Sequence, residues 1–84
     1  MEVLLTKRAA KELDKLSDSL ARRIVIELGQ LATNPFPPNS KKLKGHQNYR
    51  LRIGSYRAIY TLDLKLNQIA VLRVANRKTI YRNF

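Results

Sequence analysis

The chain has 84 residues and no cysteine, and its 17 basic and 6 acidic side chains give a net charge of +11. That length fits one domain over residues 1–84, and the missing thiols exclude disulfides, thiolate catalysis and thiolate zinc sites. No run approaches the roughly 18 apolar residues of a membrane span, and the opening Met-Glu-Val-Leu-Leu-Thr does not read as a secretory signal, so the expected setting is the cytoplasm.

Residues 2–6 read as a short strand. Thr6 can cap a helix over about 7–16, in which Ala9, Leu13 and Leu16 fall on one apolar face. Ser17-Asp18 interrupts that pattern and offers a second cap. A second helix is predicted over about 19–33, with Leu20, Ile24, Leu28 and Leu31 along one side and Ala21, Val25 and Ala32 beside them. Two helices joined this tightly should form an antiparallel pair. Asn34-Pro35-Phe36-Pro37-Pro38-Asn39 ends the helical part, because proline neither continues a helix nor tolerates one just before it. A basic loop over 40–47 follows, then strands over about 48–53, 56–63 and 68–76. Gly54-Ser55 is a two-residue hairpin connection, and Lys65-Leu66-Asn67 reads as the next turn. The expected fold is α+β, in the order β-α-α-β-β-β. A two-helix hairpin should pack on one face of a small, mainly antiparallel sheet and leave the other face open.

The charge is unevenly placed. Residues 1–40 hold 6 basic and 5 acidic side chains, whereas residues 41–84 hold 11 basic and a single acid, Asp63. Charge concentrated in one half points to a polyanionic partner facing that half, nucleic acid above all. An anionic membrane fits less well, since the basic half is strand-like and not an amphipathic helix.

The Gly54-Ser55 turn sets a register. Ile53 should face Tyr56, Leu51 Ala58 and Tyr49 Tyr60, and these six form the core face. Arg52 then stands opposite Arg57 on the other face, with Arg50 opposite Ile59. With a three-residue second turn, Leu72 faces Tyr60, and Arg73 joins Arg50, Arg52 and Arg57. Arg77 keeps the same parity, and Asp63 lies far away near the second turn. Like charges directly opposite are destabilising. Guanidinium suits phosphate because it binds bidentately and stacks on bases. Nucleic-acid phosphates or an acidic protein would supply the missing counter-charge. No carboxylate pair, metal-ligand cluster or glycine-rich phosphate loop is present, no cofactor is implied, and His46 is the only histidine.

Lys42-Leu-Lys-Gly45, Tyr49-Arg-Leu-Arg-Ile-Gly-Ser-Tyr-Arg-Ala-Ile-Tyr-Thr-Leu-Asp63, Val71-Leu-Arg-Val-Ala-Asn-Arg77 and Ile80-Tyr-Arg82 together resemble the RelE/ParE toxin superfamily over essentially the whole chain. The resemblance implies a fold similar to small microbial ribonucleases and the toxin of a type II toxin–antitoxin pair. RelE-type members enter the ribosomal A site and cleave mRNA there by attack of the 2′-hydroxyl on the adjacent phosphodiester. ParE-type members share the fold but poison DNA gyrase, and a non-catalytic homologue would only bind antitoxin or RNA. The implied partners are a cognate antitoxin, the ribosome and mRNA, with a toxin–antitoxin heterotetramer as one assembly, and no membrane.

Carried over residue by residue, the catalytic positions are Arg50, Arg52, Arg57, Arg77 and Tyr81. Arg57 would stabilise the transition state, Arg77 would assist the leaving group and Tyr81 would stack on a base. Arg50, Arg52, Arg73, Lys41, Lys42, Lys44, Lys78 and Arg82 would bind RNA. RelE members often carry lysines at the positions of Arg50 and Arg52. Arginine keeps its proton at ordinary pH and is a poor general base, so here these two residues would act as fixed cations.

Overall fold

The computed structural model describes residues 1–43 and 47–76. Strand β1 (Glu2–Leu5) leads into helix α1 (Lys7–Asp14), helix α2 (Asp18–Gly29) and a 3-10 turn over Gln30–Ala32. Four strands follow: β2 (Ser40–Lys42), β3 (Asn48–Ile53), β4 (Tyr56–Asp63) and β5 (Gln68–Asn76). They form one sheet in the order β1-β5-β4-β3-β2, antiparallel except for the parallel pair β1–β5. The α+β class is as the sequence predicts, with one strand more than expected. Ser40–Lys42, read as loop, pairs with β3 as an edge strand, Ser40 facing Leu51 and Lys41 facing Arg50. Its three residues are too short and too polar to announce themselves by alternation.

Both helices start on side-chain caps. The Thr6 hydroxyl accepts from the Ala9 N–H at 3.2 Å, and the Ser17 hydroxyl from the Leu20 N–H at 3.4 Å. Each satisfies a backbone donor that the first helical turn leaves free, a contribution typically near 1 kcal/mol. Both α-helices end before the predicted boundaries, and the 3-10 turn carries the second helical stretch on to Ala32.

The core lies between the helices and one face of the sheet. Ala9 and Leu13 from α1, Ile24 and Leu28 from α2, and Leu31 meet Leu51, Ile53, Ala58, Tyr60, Ile69, Val71 and Val74. All six residues assigned to the core face of the hairpin belong to this cluster, Tyr49 and Tyr56 at its margin. Tyr49 stacks on Tyr60 with ring centroids 5.6 Å apart. Full burial of one such large apolar side chain contributes about 1.5–3 kcal/mol. Val25, placed beside the apolar side of α2, is instead 49% exposed.

The β3–β4 register agrees with the sequence reading at every pair, including Arg52 opposite Arg57 and Arg50 opposite Ile59. The β4–β5 register departs from it and then returns. The turn spans four residues, with Asp63 opposite Gln68, so Tyr60 faces Val71 and not Leu72. A bulge between Ile59 and Tyr60 then restores the expected pairs, Ile59 with Arg73 and Arg57 with Ala75. Leu72 is the extra residue on β5, a local two-against-one arrangement.

Candidate functional site

The cationic site is built on the β3–β4 hairpin. Gly54 takes φ +61°, a left-handed conformation that a side chain disfavours, and this lets two residues reverse the chain. The tight turn places Arg52 and Arg57 across from one another. By alternation Lys41, Arg50, Arg52 and Arg57 share the face turned away from the helices. Lys42 pairs with Tyr49 and therefore lies on the opposite face.

This second face is not the open surface that alternation implied. Ile59 is fully buried, Ala75 is nearly so, and Leu43 and Leu72 pack against them as a small second apolar cluster. The cations differ accordingly. Arg52, Lys41 and Lys42 are exposed, and Arg50 is half-buried. Arg57 is only 7% exposed. Its Nη1 donates to the carbonyls of Gly54, at 3.3 Å, and Tyr56, at 3.1 Å. The guanidinium is thereby fixed against the turn that presents it, and no carboxylate pairs with it among the described residues. Asp63, the acid of this half, uses Oδ1 to accept from the Leu66 N–H at 3.1 Å within its own turn.

Arg73 corrects the sequence reading. Alternation puts it among the unpaired arginines, but it is 5% exposed and its Nη2 meets Glu12 Oε2 at 2.8 Å. The count of acids in the second half missed this partner because Glu12 comes from α1. Arg77, Lys78, Tyr81 and Arg82, together with Lys44 and His46, lie outside the described residues. No group of metal-ligating side chains occurs among the described residues, and no helix among them is long and apolar enough to cross a membrane.

One cation reaches the hairpin that sequence reasoning did not assign to it. The Arg23 guanidinium, from α2, lies over Gly54, its Nη1 3.6 Å from where a Cβ on that glycine would be. No local pattern signals this approach, since it depends on how α2 crosses the sheet.

Two helices on a five-stranded, mainly antiparallel sheet with a cationic hairpin define the RelE-like class of small α+β toxins. A family model described as the ParE toxin of the type II toxin–antitoxin system parDE matches residues 3–81, and the chain belongs to this RelE/ParE toxin family. RelE1 of Methanocaldococcus jannaschii is 32% identical over 85 residues, covering 96% of this chain and 94% of that protein. The archaeal RelE–RelB complex of Pyrococcus horikoshii contains a chain 30% identical, with a TM-score of 0.80 over 93% of this chain and 96% of that one. The RelBE2 toxin–antitoxin complex of Mycobacterium tuberculosis contains one 28% identical, with a TM-score of 0.79 over 90% of each chain.

Proposed function

We propose that the chain is a RelE-type endoribonuclease that cleaves mRNA in the ribosomal A site and is held inactive by a cognate antitoxin. The observation that carries this reading is the Arg52–Arg57 pair. Two arginines are register partners across a tight hairpin, one exposed and one with its guanidinium fixed by backbone carbonyls, with no carboxylate paired to either among the described residues. Like charges so placed cost free energy, and an anion offsets that cost. The likeness to RelE chains, two of them from complexes with antitoxins, supports the same reading.

In the proposed reaction the 2′-hydroxyl oxygen of the mRNA attacks the adjacent phosphorus. It loses its proton to a base, the bond from phosphorus to the 5′-oxygen breaks, and that oxygen takes up a proton. The products are a 2′,3′-cyclic phosphate and a 5′-hydroxyl. Negative charge builds on the phosphoryl oxygens in the transition state, and Arg57, already oriented, needs little reorganisation to meet it. Arg52 and Arg50 grip phosphate as fixed cations. They do not take the proton, because guanidinium stays charged. Arg77 would assist the leaving group and Tyr81 would orient a base. The protein as a whole works in the cytoplasm, where its target is.

A second reading is favoured by the family model, which is named for ParE. In that reading the same fold binds and poisons DNA gyrase and cuts no RNA. Induced expression followed by mapping of mRNA 5′ ends separates the two. New ends inside translated frames on ribosomes are expected for the nuclease. Growth arrest with intact mRNA and with DNA breaks at gyrase sites would establish the second reading.

A further inference from the structure

Arg23 and Arg57 converge on one turn residue from opposite sides of the sheet. A Cβ built on Gly54 would sit 3.6 Å from Arg23 Nη1 and 3.8 Å from Nη2. Arg57 Nη1 donates to the carbonyl of the same glycine at 3.3 Å. α2 packs on the core face through Ile24 and Leu28, whereas Arg57 alternates with the core residue Ala58 and so lies on the other face. The hairpin turn thus carries positive charge on both sides.

A structural role alone does not account for Arg23. Glu27 stands one helical turn further on, at the i, i+4 spacing that brings side chains together. The two are nevertheless not paired: the ion pair among the described residues is Arg73 with Glu12, and Glu27 Oε2 is buried without a hydrogen-bond partner. Arg23 as a residue is exposed. Two guanidinium groups that approach one turn, neither paired with a carboxylate among the described residues, raise the potential there, and that attracts an anion. Guanidinium groups on both sides of one turn suit a chain of regularly spaced anions better than a single ion.

We propose that Arg23 is a phosphate-binding residue and that the RNA backbone crosses the Gly54-Ser55 turn, passing from the Arg52–Arg57 face to α2. This rests on the nuclease reading above and adds to it the path of the substrate beyond the hairpin face.

The test is the salt dependence of binding to a short, labelled, single-stranded oligouridylate, read by fluorescence anisotropy. Each phosphate contact to a single strand contributes roughly 0.7 to the slope of log affinity against log salt. Arg23→Gln should lower the slope by about that amount and leave the thermal midpoint unchanged, and Arg23→Lys should retain it. Arg8→Gln, an exposed cation of α1, should leave the slope as it is. An unchanged slope in Arg23→Gln beside a lowered one in Arg52→Gln would overturn the path over the turn and leave the nuclease reading standing. Equal losses in Arg8→Gln and Arg23→Gln would overturn the proposal in favour of diffuse charge. A wild-type protein that does not bind the oligouridylate would overturn the path over the turn, whereas the nuclease reading, which concerns mRNA held in the ribosome, is decided by the mapped 5′ ends.

Discussion

Glu12 ties α1 to β5 through two oxygens. Oε2 accepts from Arg73 Nη2 at 2.8 Å, and Oε1 accepts from the Val74 backbone N–H at 2.9 Å. β1 pairs with β5 only from Gln68 to Val71, so at Val74 the edge of β5 has no strand beside it. The carboxylate takes the place of a strand carbonyl there. The Arg73 and Glu12 side chains are 6% and 18% exposed, and Arg73 Nε and Nη1 have no other partner. Removing one member of such a pair leaves the other charge buried and uncompensated. Glu12→Ala should therefore destabilise the fold by about 3–5 kcal/mol, which is a large part of the total for a chain of this size. Arg73→Met should cost less, because Glu12 keeps the Val74 N–H and is nearer solvent. Urea denaturation of both variants checks the order, and a loss below about 1 kcal/mol in Glu12→Ala would contradict this account.

Tyr60 makes stability depend on pH at the alkaline end. Its hydroxyl donates to the Pro35 carbonyl at 2.6 Å beneath the proline loop. Burial, mainly, pushes its pKa above 10.0, with a smaller upward push from Tyr49 and a downward one from the Ser40 hydroxyl. As pH rises past 10 the unfolded chain loses this proton before the folded one does. The folded state then binds more protons than the unfolded, and stability falls with pH by at most about 1.4 kcal/mol per unit. Below that range the contribution is fully present. Tyr60→Phe should remove this part of the alkaline slope and cost about 1 kcal/mol at neutral pH through the lost hydrogen bond. Denaturation midpoints of the two proteins from pH 8 to 11 provide the comparison, and equal slopes above pH 10 would refute the role given to Tyr60.

Arg57 should behave as a buried structural residue and a functional one together. Alternation placed it on an exposed face, where its removal would be neutral or slightly stabilising. At 7% exposure, with two backbone carbonyls bonded to Nη1, it contributes to the turn. Arg57→Ala should cost about 1–2 kcal/mol and lower single-turnover cleavage on programmed ribosomes by a factor on the order of 10²–10³. A folded variant that cleaves normally would remove Arg57 from the proposed mechanism.

What the sequence could and could not convey divides along physical lines. Alternation and the Gly-Ser turn are local, and they placed Arg52 opposite Arg57 and the six hairpin core residues correctly. The caps at Thr6 and Ser17 are equally local. The Leu72 bulge, the Glu12 partner of Arg73 and the approach of Arg23 to Gly54 depend on contacts between distant segments, which composition and periodicity do not encode. Burial of the second sheet face was hidden for a related reason. Parity says which way Arg57 and Ile59 point, not what covers them.

Arg52 offers the sharpest test of whether the hairpin acts by fixed charge. It is exposed and stands across from Arg57. If it acts only as a cation, cleavage by the wild-type protein should show no titration from it between about pH 6 and 9, since guanidinium keeps its proton throughout. Arg52→Lys replaces a planar two-pronged donor with a point charge that can lose its proton, and the neighbouring guanidinium favours that loss. The variant should be slower at neutral pH and should lose further activity as pH rises, because the charge itself is what the reaction needs. Activity that climbs with pH would instead make the lysine a base and assign proton transfer to this position. A pH profile identical to that of the wild-type protein, at an unchanged rate, would mean that residue 52 does not touch the phosphate. Single-turnover cleavage on programmed ribosomes, followed across this pH range for both proteins, distinguishes the three outcomes.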